Sequence, residues 1–134
     1  MVRSAPTEYA SDVIRVGAAA ALAALAVFAA AAIAAPSAVF LKVTPSTVQR
    51  GHVVAIRGNA APCAAGNTVF VLSRAFVHTH DFGGVAAVLA KVKPGGAFAA
   101  STRIPANRRP ARYVVTARCG GGNLGVAAHL RVRA

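Results

Sequence analysis

The stretch Ala111–Gly125 constrains this chain more than any other. Arg112, Val114, Thr116 and Arg118 alternate there with Tyr113, Val115, Ala117 and Cys119. A period of two in a run rich in β-branched residues is a strand signal, because successive side chains of a strand point to opposite faces. Gly120-Gly121-Gly122 breaks the run, and Leu124, Val126, Ala128, Leu130 and Val132 then alternate with His129, Arg131 and Arg133. The pattern predicts a β-hairpin with Cys119 at its tip. Cys63 is the only other cysteine.

The rest of the chain punctuates in the same way. Strands are predicted over Ala38–Val43, His52–Arg57, Asn67–Arg74, Val85–Val92 and Ala97–Ile104, separated by turns rich in Gly and Pro. Pro45 has no ladder donor and belongs at an edge or a strand switch. Asn67–Arg74 is apolar on both faces, as a central strand would be, and Phe98, Ala100, Thr102 and Ile104 share one face. Alanine leaves a helical alternative open for Val85–Val92, which the flanking glycines and short length oppose. With the hairpin, seven strands result, the spacing of an all-β, immunoglobulin-like antiparallel β-sandwich.

Ahead of these strands, Val16–Ala35 is uncharged and mostly alanine, with Arg3 and Arg15 before it. Ala32-Ile33-Ala34 offers small residues at the positions a signal peptidase reads. Residues 1–34 are therefore expected to be a hydrophobic export signal, with 35–134 as the domain. An uncleaved anchor is the alternative, since about 20 apolar residues can span a bilayer.

The charge balance excludes several kinds of chemistry. Of the 15 Lys and Arg, all but Arg3 and Arg15 lie in 35–134, where Asp81 is the sole Asp or Glu. Most glycoside hydrolysis needs two carboxylates, and calcium or magnesium sites need several hard oxygen ligands. Acid–base catalysis would rest on histidine alone. Ser73, His80 and Asp81 lack the order and the Gly-x-Ser-x-Gly elbow of a hydrolase triad. No enzyme and no cofactor is expected. His78 and His80 flank Thr79 and would share a strand face suited to copper or zinc, with Asp81 directed to the other side. Exposed loop histidines are the plainer reading of that pair.

So cationic a surface should attract polyanions. Arg103, Arg108, Arg109 and Arg112 gather around the loop between Pro105 and Pro110 and form the anion-binding candidate, with Arg108 and Arg109 expected to be replaceable at little cost in stability. The expected partner is an acidic cell-wall polymer or lipid headgroups. Without interleaved aromatic residues, single-stranded bases would find no stacking platform, so no specific nucleic-acid role is expected.

In a sandwich of this topology the loops holding Cys63 and Cys119 lie at one end, which predicts a disulfide between them. Closing a loop of this length is worth about 4 kcal/mol in the chain-entropy treatment. Export would supply the oxidising compartment. Two reactive thiols are the alternative. Tyr113 stands six residues before Cys119 instead of two, so the tyrosine-corner hydrogen bond is not expected of it.

The series Val43-Thr44-Pro45-Ser46-Thr47-Val48, Gly51, Val54, Ile56, Gly58, Cys63, Gly66, Val69, Ser73-Arg74-Ala75-Phe76 and Tyr113–Gly121 resembles the small exported immunoglobulin-like proteins of high-GC actinobacteria. The half from Val43 to Val71 is also similar to neocarzinostatin-type apoproteins, which hold an enediyne in a cleft of the same fold. Those proteins are typically acidic with two disulfides, and no ligand position is carried over from them. The resemblance implies a non-catalytic exported module. A small-ligand carrier is the competing reading and implies an apolar cleft flanked by residues 75–84.

Overall fold

The computed structural model describes residues 38–134. The expected export signal over 1–34 lies outside the described residues. Nine strands occur among them: β1 (Phe40–Thr44), β2 (Thr47–Gln49), β3 (Val53–Asn59), β4 (Thr68–Leu72), β5 (His80–Phe82), β6 (Val85–Lys91), β7 (Ala97–Arg103), β8 (Ala111–Cys119) and β9 (Gly122–Arg133). They form a three-stranded sheet ordered β1-β3-β7 and a six-stranded sheet ordered β2-β9-β8-β4-β6-β5. The described residues contain no helix, and Val85–Lys91 is a strand.

The two strands beyond the expected seven are three-residue pieces, too short to show a period. Pro45 is the switch point between the sheets. The Thr44-Pro45 bond is cis, and the chain leaves β1 in one sheet to enter the other as β2. It passes across instead of turning back on itself, so β2 meets β9 in parallel, with Val48 beside Val132. The expectation of wholly antiparallel pairing is corrected at that one place.

Alternation fixes which side chains are interior. Val54 and Ile56 of β3, Phe98 of β7, Val69 and Val71 of β4, Val115 and Ala117 of β8, and Leu130 and Val132 of β9 join one buried core drawn from both sheets. Each large aliphatic or aromatic side chain so buried stabilises the fold by about 1.5–3 kcal/mol. Gly58 faces Phe98 across the β3–β7 pair. A Cβ at Gly58 would run into the Phe98 ring and the Phe40 carbonyl, so the absence of a side chain lets the ring lie over the strand.

The β8–β9 hairpin closes where expected. Cys119 pairs with Gly122, and Gly120 takes a φ of +58° that suits glycine. Its register then slips. Between the Arg118–Asn123 and Thr116–Ala127 pairs, Leu124, Gly125 and Val126 of β9 stand against Ala117 alone. Gly125, at φ +72°, absorbs this bulge and donates its N–H to Asn123 Oδ1 at 2.8 Å. Two extra residues preserve parity, so the inward set stays inward. Cys119 forms a disulfide with Cys63 in the β3–β4 loop, with a Cα–Cα distance of 6.1 Å.

Candidate anion-binding face

The loop from β7 to β8 carries the arginines that the sequence singles out, and it does not leave them equivalent. Tyr113, third residue of β8, is half-buried, and its hydroxyl donates to the Arg109 carbonyl four residues upstream. That is the tyrosine-corner bond which the spacing to Cys119 argued against. The correction has a simple reason. The bond depends on where the tyrosine enters the strand, and the distance to the cysteine only measures how long the strand is.

Arg108 is half-buried and donates through one terminal nitrogen to the Phe76 carbonyl at 3.0 Å, while its buried Nε has no partner. Arg103 is exposed and donates to the Gly51 carbonyl. Arg109 is exposed, and Arg112 lies out on the sheet surface. Two of the four guanidinium groups are thus committed to backbone carbonyls of the neighbouring 75–84 and 50–52 segments. Arg108 is thus folded against the Phe76 backbone, unlike Arg109, and the two are not interchangeable surface arginines.

Arg112 has different company. On β9 it stands directly opposite Arg131, with Val114 opposite His129 and Thr116 opposite Ala127. Directly opposite residues share a face of the sheet with Cβ atoms about 5 Å apart. Tyr113, Val115 and Ala117 turn to the core, so Arg112, His129, Arg131 and Arg133 turn away from it and are exposed. Two open depressions meet at this pair. One, of about 330 Å³, is lined by Pro110, Arg112, Arg131 and Arg133 among others. The second, of about 360 Å³, is lined by Ser46, Arg112, His129 and Arg131. The sequence reading missed Arg131, Arg133 and His129. Alternation carried through the hairpin would have put them on Arg112's face, since the turn and the bulge both keep parity.

A third depression, of about 360 Å³, runs from Arg112 toward Leu72, Val85 and Val114 and is open to solvent. The one bordered by the 75–84 segment, of about 250 Å³, is lined by Arg74, Phe76, His78 and Arg108 among others. It is a basic hollow, while the third depression, with Leu72, Tyr113 and Val114, adjoins the same segment at Arg74 and Val85. Farther across the six-stranded sheet, the Phe70 and Phe82 rings tilt against each other at 5.3 Å, and the Arg118 guanidinium sits 5.1 Å from the Phe82 ring centre.

The histidine pair resolves differently from its expected form. β5 begins at His80, so residues 78 and 79 precede the extended segment and the alternation rule does not reach them. His78 Nε2 lies 2.7 Å from Asp81 Oδ2, and Asp81 Oδ1 accepts the Gly84 N–H at 2.7 Å. Asp81 therefore turns toward His78, not away from it, and ties the β5–β6 turn. No group of three His, Cys, Asp or Glu that could hold a metal ion occurs among the described residues. Ser73 is buried, with its hydroxyl accepting the Ala75 N–H at 3.1 Å.

No protein-family profile and no curated protein sequence matches the chain. Among solved structures, it is similar to the Pseudomonas fluorescens alkylpurine DNA glycosylase AlkC bound to DNA containing an abasic site analog, at 23% identity and a TM-score of 0.44. The similarity covers 75% of this chain and 32% of that one, so the chain spans about a third of the glycosylase's length.

Proposed function

We propose that the protein is an exported, non-catalytic module with an immunoglobulin-like β-sandwich, binding an anionic component of the cell envelope through its cationic surface. The observation that carries this reading is the fate of its only acidic side chain in 35–134. Asp81 is already occupied by His78 and by the Gly84 amide. The thirteen Lys and Arg of that region, the chain's 15 less Arg3 and Arg15, have no second acidic side chain there to neutralise them. An external polyanion fills that need, and its attraction falls as salt screens charges beyond a Debye length of about 8 Å at physiological ionic strength. The Cys63–Cys119 disulfide supports export, since such bonds persist in oxidising compartments.

The test is co-sedimentation of the purified domain with isolated cell walls and with anionic vesicles, at low and high salt. Binding at low salt that is lost at high salt is the expected result. Failure to bind either material at low salt refutes the reading.

A further inference from the structure

We propose that Arg112 and Arg131 form a two-arginine clamp for the phosphates of a phosphodiester polymer laid along β9. The proposal rests on the polyanion reading above and adds the chemistry of the anion, phosphate in place of carboxylate.

The first observation is that this pair is uncompensated. Like charges directly opposite on a sheet are destabilising, yet Arg112 and Arg131 are register partners on one exposed face. Asp81 is beyond use: it lies in β5, at the far edge of the sheet from β2 and β9, and is held by His78. Arg103, Arg108 and Arg118 each donate to a backbone carbonyl. The side chains of Arg112 and Arg131 form no such bond with the described residues, so their donors remain for a ligand.

The second observation is the shape of the donor set. A carboxylate offers two coplanar oxygens, and a single guanidinium fork occupies one lone pair on each, leaving only lone pairs in that same plane. A second fork arriving from another strand must lie in that plane to reach them. A phosphodiester also has two charged, non-bridging oxygens, but their lone pairs are not confined to one plane, so two forks from two strands can share them. The depressions on either side of the pair add Ser46 and His129 on one flank and Arg133 on the other.

The third observation is repetition. Outward side chains on a strand recur every second residue, about 7 Å apart. His129, Arg131 and Arg133 therefore make a stepped row of donors along β9. A chain with one phosphate per short polyol unit presents its charges in comparable steps. A single-stranded nucleic acid also carries spaced phosphates, but it leaves bases to be stacked. The aromatic rings of this face, Phe70 and Phe82, are engaged with each other and with Arg118.

The experiment compares binding of poly(glycerol phosphate), polyglutamate and oligo-dT, matched in charge number, at fixed low salt. The parent should prefer poly(glycerol phosphate) over both others by about tenfold, the worth of about one charge-assisted hydrogen bond. Arg112→Lys with Arg131→Lys keeps the charge and removes the forks. That variant should hold its polyglutamate affinity and lose the preference for phosphate. Lys42→Gln with Arg57→Gln removes another cross-strand cation pair, on the three-stranded sheet, and should leave the preference intact. Melting curves confirm that each variant is folded. Equal binding of all three polymers, or a preference that survives the lysine variant, overturns the clamp while leaving the polyanion reading standing. Tighter binding of oligo-dT overturns it in favour of nucleic acid. If none of the polymers binds, the polyanion reading fails and the clamp fails with it.

Discussion

The 105–110 loop and the outer face of the β8–β9 hairpin both concentrate arginine, and they use it in opposite ways. In the loop, Arg108 and Arg109 are neighbours in sequence, yet one is folded against the Phe76 carbonyl and the other points into solvent. On the hairpin, Arg112 and Arg131 are 19 positions apart, the difference of their numbers, and become direct partners. Loops expose carbonyls that a ladder would have satisfied, so an arginine beside a loop is readily recruited as a structural donor. A strand interior has already paired its carbonyls, and an outward arginine there keeps its donors unless, like Arg118, it lies beside a turn whose carbonyl it reaches. Closeness in sequence is thus a poor guide to which guanidinium groups are available.

The largest effect should come from the bond that holds the hairpin tip. Removing the disulfide by reduction, or by Cys63→Ala with Cys119→Ala, should cost about 4 kcal/mol for the 56-residue separation it closes. Urea denaturation of the oxidised and reduced forms measures this. A loss below about 1 kcal/mol would mean that strand pairing alone fixes the hairpin.

Next in size is the contrast within the loop. Arg108→Ala should destabilise by about 2 kcal/mol, the scale of a lost hydrogen bond to a charged donor. Arg109→Ala should stay within about 0.5 kcal/mol, as surface substitutions do. Both are read from thermal or urea unfolding. Equal effects of the two substitutions would erase the distinction between a structural and a solvent-facing arginine.

The smallest effect has the opposite sign. Arg131→Gln removes one member of a like-charged cross-strand pair and should raise stability by a few tenths of a kcal/mol at low salt. The gain should shrink as salt increases, because screening already relieves the repulsion in the parent. A gain that does not depend on salt would point to packing as its source.

The sequence made most of the strand plan legible. Period two and Gly/Pro turns located seven of the nine strands, because both signals are local. The pairing of Cys63 with Cys119 followed from the expected loop positions. β2 and β5 were not legible, since three residues carry no period and each exists because a longer strand offers it an edge. The candidate site was legible in part. Arg112 was named, but Arg131 and His129 were separated from it by the turn, and Arg108 was grouped with it by nearness alone.

The sequence by itself determined which side chains of the β8–β9 hairpin face inward, because parity along a strand depends only on the pleat, and the two-residue excess at Leu124–Val126 leaves parity unchanged. It also determined that the region's charge could not be balanced from within, since Asp81 is its one acidic side chain. Only the tertiary structure decided that Arg112 meets Arg131 instead of His129. An unbulged two-residue turn would pair Arg112 with His129, and the bulge around Gly125 shifts that partner by two. The fold likewise decided that Arg108 is structural, because its acceptor, the Phe76 carbonyl, lies 32 residues away and reaches it only when two loops pack together.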